Sequence, residues 1–158
     1  MTLIHRFAFV ALLTLSSQLC FANDWVTLHT IVDGDTIKVK HQNKLVTVRL
    51  LGIDTAETST NTHLQWQRTY WKKTSSELIQ WGKKAKNFLQ QRLTTGDPLR
   101  LEYDTQRIDY YNRTLAYVYL ADGTMINALL LEYQLAHIFV IPPNLRHQDL
   151  LAKLWMTN

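Results

Sequence analysis

From Trp25 onward, apolar and polar positions alternate. Val26, Leu28 and Val32 fall at even spacing, Asp33-Gly34-Asp35 forms a turn, and Ile37 and Val39 then alternate with Lys38 and Lys40. A polar reversal from His41 to Lys44 leads into a run from Leu45 to Ile53, with Val46, Val48 and Leu50 on one face and Thr47 and Arg49 on the other. Three short strands in succession predict an antiparallel meander. The alternation stops between Ser59 and Ser76, where polar residues mix with Trp66, Tyr70 and Trp71, and this stretch reads as a long loop. A helical period takes over at Leu78, Trp81, Ala85, Phe88 and Leu89 behind Thr74 and Glu77 at capping-box spacing, and Gly96 and Pro98 close it. Leu99, Leu101 and Tyr103 alternate as a fourth strand, and Leu115 to Leu120 forms a fifth before the Asp122-Gly123 turn. A short helix from Asn127 to Tyr133 is expected to bury Leu130 and Tyr133. Pro142-Pro143-Asn144 is expected to open a last helix with an apolar stripe of Leu151, Leu154 and Trp155. Five strands with a helix between the third and fourth match the order of an OB-type barrel, an α+β fold with about three helices.

The first residues depart from this pattern. Arg6 precedes an apolar run from Phe7 to Leu15, and small Ala22 stands before Asn23, the layout of a secretory signal peptide. The run is shorter than the roughly 20 residues that a spanning helix needs. Residues 1–22 are therefore expected to be cleaved, which leaves 23–158 as one domain, secreted or periplasmic and free of the membrane. The single cysteine, Cys20, leaves with the leader, so neither disulfides nor a cysteine zinc site holds the fold. A hydrophobic fraction of 46% with 19% charged residues excludes a disordered chain, and 158 residues suit one domain. With 17 Lys and Arg against 13 Asp and Glu, the net charge of +4 favours an anionic partner, with nucleic acid and membrane surface both open.

Two acidic turns carry the candidate chemistry. Asp33-Gly34-Asp35-Thr36 and Asp54-Thr55-Ala56-Glu57 each follow an apolar strand, so their side chains can converge on one rim. Carboxylates gathered without histidine or cysteine favour a hard cation, calcium above all. An Asp-Gly turn is by itself ordinary wherever φ must be positive, and the second turn gives the metal reading its weight. Arg49 lies between the turns, and Arg113 ends Asp109-Tyr110-Tyr111-Asn112-Arg113 just before the fifth strand. A mid-strand arginine commonly pairs with a carboxylate. Two guanidiniums beside a divalent ion can instead oppose the charge gathering on a pentacoordinate phosphorus. Glu57, unlike a metal-bound Asp54, is open to take a proton from an attacking water, an effect typically worth about 10²–10⁴ in rate.

The stretches IVDGDTIKV, VRLLGIDTAET and DYYNRTLAYVYLADGTMIN, in that order, closely resemble the staphylococcal-type thermonuclease family, secreted calcium-dependent nucleases on an OB-fold. The resemblance runs from Trp25 to Ala136. It implies that Asp35, Asp54 and the Thr55 carbonyl ligate calcium, with Asp33 near its water shell. It further implies that Glu57 is the general base and that Arg49 and Arg113 clamp the scissile phosphate. DNA and RNA, single-stranded or frayed, would be cut by a monomer to 3′-phosphate products. Three features depart from the family. Ala56 stands where proline is usual. The aromatic pair after the second helix is missing, since His137 to Ile141 runs straight into Pro142. The Ser59 to Ser76 segment is longer than in short family members and holds Trp66, Arg68, Tyr70, Trp71, Lys72 and Lys73. These residues, with Tyr111, are candidate substrate contacts, since base stacking contributes about 1–3 kcal/mol per base. Packing of the same rings onto the barrel is the equal alternative. The competing functional class is a silent OB barrel that grips single strands without cutting. The joint presence of Asp35, Arg49, Asp54, Glu57 and Arg113 favours the enzyme.

Overall fold

The computed structural model describes residues 23–157, so the proposed signal peptide lies outside the described residues. In chain order the elements are β1 (Asn23–Ile31), β2 (Thr36–His41), β3 (Lys44–Leu50), β4 (Gly52–Asp54), α1 (Thr62–Trp71), α2 (Ser75–Gln90), β5 (Pro98–Glu102), β6 (Thr114–Tyr119), α3 (Ile126–Glu132), β7 (His137–Phe139) and α4 (Gln148–Thr157). Five strands close into a barrel in the order β1-β2-β3-β6-β5, the expected α+β architecture. The meander β1-β2-β3 is antiparallel, β5 pairs antiparallel with β1 and β6, and the seam between β3 and β6 is parallel, with Arg49 opposite Leu115. Inside lie Val39, Val48, Leu99, Ala116, Val118 and Leu130, all buried.

Local chemistry accounts for these elements and for the departures from expectation. In β1, Val26 and Leu28 point inward, but the register shifts between Leu28 and Thr30. The bulge reverses the alternation, so that Ile31 is buried and Val32 is exposed. Gln42 and Asn43 close the β2–β3 hairpin with φ of 47° and 65°, the handedness that suits twisted strands. The expected strand from Leu45 to Ile53 is divided. β3 ends at Leu50, Gly52 turns the chain at φ +77°, and β4 pairs with β7 in a separate two-stranded sheet.

The Ser59 to Ser76 segment is not a loop. It contains α1, which raises the number of helices among the described residues to four. Its inward positions are Leu64 and a polar residue, Gln67, both with 0% exposure, so no apolar period marks it. Asn61 caps it, accepting the Leu64 N–H at 2.8 Å. The α2 capping box forms as expected, with the Glu77 N–H on Thr74 Oγ1 at 3.2 Å and the Thr74 N–H on Glu77 Oε2 at 2.8 Å. Tyr133 is exposed rather than buried, because α3 stops at Glu132 and the ring lies over Phe88 at 4.7 Å. Pro142 to Asn144 forms a turn rather than a helix start. Buried Asn144 is held there by the Gln106 backbone, accepting at 2.7 Å and donating at 3.0 Å, and α4 begins only at Gln148. Leu151 of α4 is buried and Leu154 packs on the core, while Trp155 stays 36% exposed.

Candidate functional site

Both acidic turns rest on α2. A Cβ on Gly34 would lie 2.7 Å from the Ala85 Cβ and 2.7 Å from Thr55 Oγ1, and one on Gly82 would lie 2.3 Å from the Ala56 carbonyl oxygen. Gly34 does not have a left-handed φ, so close approach to α2 and to the second turn, not turn geometry, explains this glycine. The turns are also joined directly, since the Thr55 N–H donates to Asp35 Oδ2 at 2.7 Å. The sequence pattern that sets two carboxylates at strand ends thus brings them to one place.

Arg49 lies across them from β3. Its Nη1 donates to the carbonyls of Leu50 and Ile53, both at 2.9 Å, and stands 3.2 Å from Asp35 Oδ2. Its Nη2 donates to Asp54 Oδ1 at 2.8 Å. Burial works against the guanidinium charge, but Asp35 and Asp54 outweigh it and hold the pKa of Arg49 above its ordinary value. Burial likewise works against ionised Asp54, and the hydrogen bonds from His63 and Gln67 with the Arg49 charge reverse this, leaving Asp54 below the ordinary carboxylate value. Asp33 accepts the Asp35 N–H at 3.2 Å, which does not offset its burial. Burial, reinforced by the Asp35 charge, pushes its carboxyl up to about 7.

α1 supplies three side chains that the sequence reading does not single out. His63 Nε2 lies 3.1 Å from Asp54 Oδ2, and this hydrogen bond raises the His63 pKa. Gln67 Nε2 donates to Asp54 Oδ2 at 2.9 Å and to the Thr55 carbonyl at 2.8 Å, while Gln67 Oε1 accepts the Glu57 N–H at 3.1 Å. Asn61 Nδ2 donates to Glu57 Oε2 at 2.7 Å. The one signal in sequence for this helix is Asn61 ahead of Leu64, a cap spacing with no apolar stripe behind it.

Arg113 enters from the opposite side. Asp109 organises its loop, accepting the N–H groups of Tyr111 and Arg113 at 2.9 and 2.8 Å on Oδ1, and Arg113 Nε at 2.7 Å on Oδ2. Among the described residues, the terminal nitrogens of Arg113 have no protein acceptor. Asp33, Asp35, Arg49, Asp54, Glu57 and Arg113 all line one cavity of about 560 Å³, with His63, Tyr111 and Phe139 at its walls.

The remaining candidate contacts are dispersed. Tyr111 is exposed beside Arg113, its ring 5.5 Å from the guanidinium. Trp66 stacks between His63 and Tyr70, with ring separations of 5.3 and 4.8 Å, and both Trp66 and Tyr70 are exposed. Trp71 packs instead, stacking on His137 at 4.2 Å and meeting Trp81 edge-on. Arg68 and Lys73 border a separate shallow depression, and Lys72 closes α1 with a left-handed φ of 53°.

The donor chemistry fits a hard divalent cation. Asp33, Asp35, Asp54 and the Thr55 carbonyl offer oxygen, and together with Glu57 the carboxylates outnumber the two arginines, one of which Asp109 already neutralises. Among the described residues, no three His, Cys, Asp or Glu side chains converge closely enough to hold an ion by themselves. An ion here therefore needs the carbonyl and water in its shell, as calcium accepts readily.

Against known proteins, the family model described as staphylococcal nuclease homologue matches residues 47–155. The chain is 38% identical over 123 residues to a thermonuclease of Staphylococcus intermedius, covering 78% of this chain and 64% of that protein. It is 38% identical over 119 residues to a thermonuclease of Staphylococcus hyicus, covering 75% and 62%. Over 126 residues it is 38% identical to the endonuclease YncB of Bacillus subtilis, covering 78% and 53%. The chain thus spans less than two thirds of the length of these relatives.

Proposed function

The chain belongs to the staphylococcal nuclease homologue family, and from that premise we propose that it is a calcium-dependent nuclease that hydrolyses DNA and RNA to 3′-phosphate products. The observation that carries this reading is the convergence of Asp33, Asp35, Asp54 and Glu57 with Arg49 and Arg113, from separate segments, on one cavity. Asp35, Asp54 and the Thr55 carbonyl are the residues that would hold calcium, with Asp33 beside its water. Bound calcium would supply positive charge to a phosphate oxygen.

The chain's own groups do the rest. Glu57 takes a proton from a water molecule whose oxygen then bonds to phosphorus. The bond from phosphorus to the 5′ oxygen breaks, the phosphate stays on the 3′ side, and the departing oxygen takes a proton from solvent. Arg113 turns its unpartnered terminal nitrogens to the phosphate and opposes the charge that builds there. A guanidinium offers hydrogen bonds and positive charge, which suits Arg113 to charge stabilisation. Arg49 contributes from the other side, while its bonds to Asp35 and Asp54 keep it fixed. Exposed Tyr111, Trp66 and Tyr70 are the rings open to unpaired bases, with Arg68, Lys72 and Lys73 meeting backbone phosphates. Trp71 is committed to packing.

We further propose that the mature chain acts as a monomer after cleavage at Ala22, in a secreted or periplasmic setting. Among the described residues no helix is long and apolar enough to cross a membrane. The test is digestion of a single-stranded oligodeoxynucleotide by the purified chain with calcium, with a chelator, and with Glu57→Gln. Cleavage is expected in the first case only. Equal cutting in chelator would overturn the calcium mechanism, and tight binding without cutting would make the chain a binding module.

A further inference from the structure

Neither the acidic turns nor the arginines account for the placement of Glu57. That residue lies in a short turn after β4, and such a turn needs outside partners to hold one conformation. The Thr55 N–H is tied to Asp35, whereas the Thr55 carbonyl and the Glu57 N–H both reach a single side chain, Gln67 of α1, which bonds Asp54 as well. Gln67 has 0% exposure, and its amide uses both its donor and its acceptor end. Only one amide orientation works. Reversing it would set the NH₂ against the Glu57 N–H and the oxygen against the Asp54 carboxylate and the Thr55 carbonyl. At the start of the same helix, Asn61 Nδ2 holds Glu57 Oε2 at 2.7 Å. One helix therefore holds the backbone and the carboxylate of Glu57, and through Gln67 it also holds Asp54 and Thr55.

We propose that α1 is the clamp of the site and that Gln67 is its positioning residue, fixing the base and two of the oxygen donors in one mutual arrangement. The proposal deepens the nuclease reading above and rests on it. Removing the Gln67 amide strands two groups at once, the Thr55 carbonyl and the Glu57 N–H, and takes one donor from the Asp54 carboxylate, which keeps Arg49 and His63. The turn can then answer by moving, which displaces Glu57.

Two variants test this. Gln67→Met keeps the length of the side chain and removes its hydrogen bonds. Asn61→Ser keeps a good helix cap but is too short to reach Glu57. Steady-state cleavage of a short single-stranded oligodeoxynucleotide, calcium affinity by calorimetry without substrate, and thermal melting are measured for both. Gln67→Met is expected to lower kcat by about 30-fold or more with KM within about threefold, as misplacement of a catalytic group does. Its calcium Kd should rise, because the Thr55 carbonyl loses its anchor and Asp54 loses one of its donors. Asn61→Ser is expected to lower kcat by about tenfold with calcium affinity and melting temperature unchanged. Folded variants that both keep the wild-type kcat overturn the proposal, as does an unchanged kcat in Asn61→Ser should Gln67→Met fail to fold. If the unmodified chain with calcium does not cut, the nuclease reading falls and takes this proposal with it. If it cuts and the variants match it, the proposal alone falls.

Discussion

Gly82→Ala adds one methyl group in the middle of α2, at the point where the helix carries the turn that contains Glu57. The added Cβ would lie 2.3 Å from the Ala56 carbonyl oxygen, 2.5 Å from that of Glu57 and 2.7 Å from the Glu57 carbonyl carbon. Ordinary contact begins at 3.4 Å, and the atoms in the way are backbone, so the turn must retreat by about 1 Å. Two stability terms oppose each other. Alanine in a helix interior is better than glycine by about 1 kcal/mol, and overpacking costs about 1–3 kcal/mol. The net loss is about 0–2 kcal/mol against a total of about 5–15 kcal/mol, so the protein should fold. The effect on rate is larger, because a 1 Å displacement of a catalytic group costs about 10²-fold. The expected signature is a melting temperature lowered by less than about 10 °C with kcat on single-stranded DNA in calcium reduced about 100-fold. Circular dichroism melting and initial cleavage rates on the same preparation check it. A kcat within threefold of wild type, in a folded protein, would refute the claim that the close contact of Gly82 with the turn helps α1 to fix the position of Glu57.

The two arginines should separate in their effects. Arg49→Ala leaves Asp35 and Asp54 buried without their cation and is expected to cost about 3–5 kcal/mol in urea unfolding without calcium. Arg113→Ala removes a partly buried pair to Asp109, whose carboxylate keeps the Tyr111 and Arg113 N–H groups, so stability should fall by only about 1–2 kcal/mol while kcat falls about 10²–10³-fold. Far from the cavity, Glu102 receives Tyr119, Arg146 and His147. Burial works against its charge, and these hydrogen bonds outweigh it and hold its pKa below the ordinary glutamate value of 4.5. A depressed carboxylate contributes stability that is present above the unfolded pKa and lost as pH falls through the folded one. Acid melting curves should therefore fall below pH 4.5 in the wild type and more gently in Glu102→Gln.

The strands were legible because a period of two shows wherever one face is buried, as in Val46, Val48 and Leu50. The alternation misleads only where backbone geometry intervenes, as at the Leu28 to Thr30 bulge that exchanges Val32 for Ile31. Asp35, Arg49 and Asp54 were also legible, being charged residues next to apolar runs, and they do meet. α1 was not, because its inner face is one leucine and one glutamine, and a buried amide in a polar stretch looks like solvent-facing sequence. His63, Gln67 and Asn61 stayed hidden for the same reason. Pro142 and Pro143 look like a helix opening, but the neighbouring Asn144 owes its burial to Gln106, a contact with no local signal.

The parallel seam between β3 and β6 also joins the two parts of the cavity. Arg49 lies on one side of that seam, and Arg113 stands immediately before the strand on the other side. Pairings between distant segments form late, because the intervening chain must first give up its freedom. Until the barrel closes, the acids and Arg49 belong to one fragment and Arg113 to another. A nascent or partly unfolded chain therefore carries the separate halves of the cavity but not the cavity itself. Whatever chemistry it performs waits for that seam to pair.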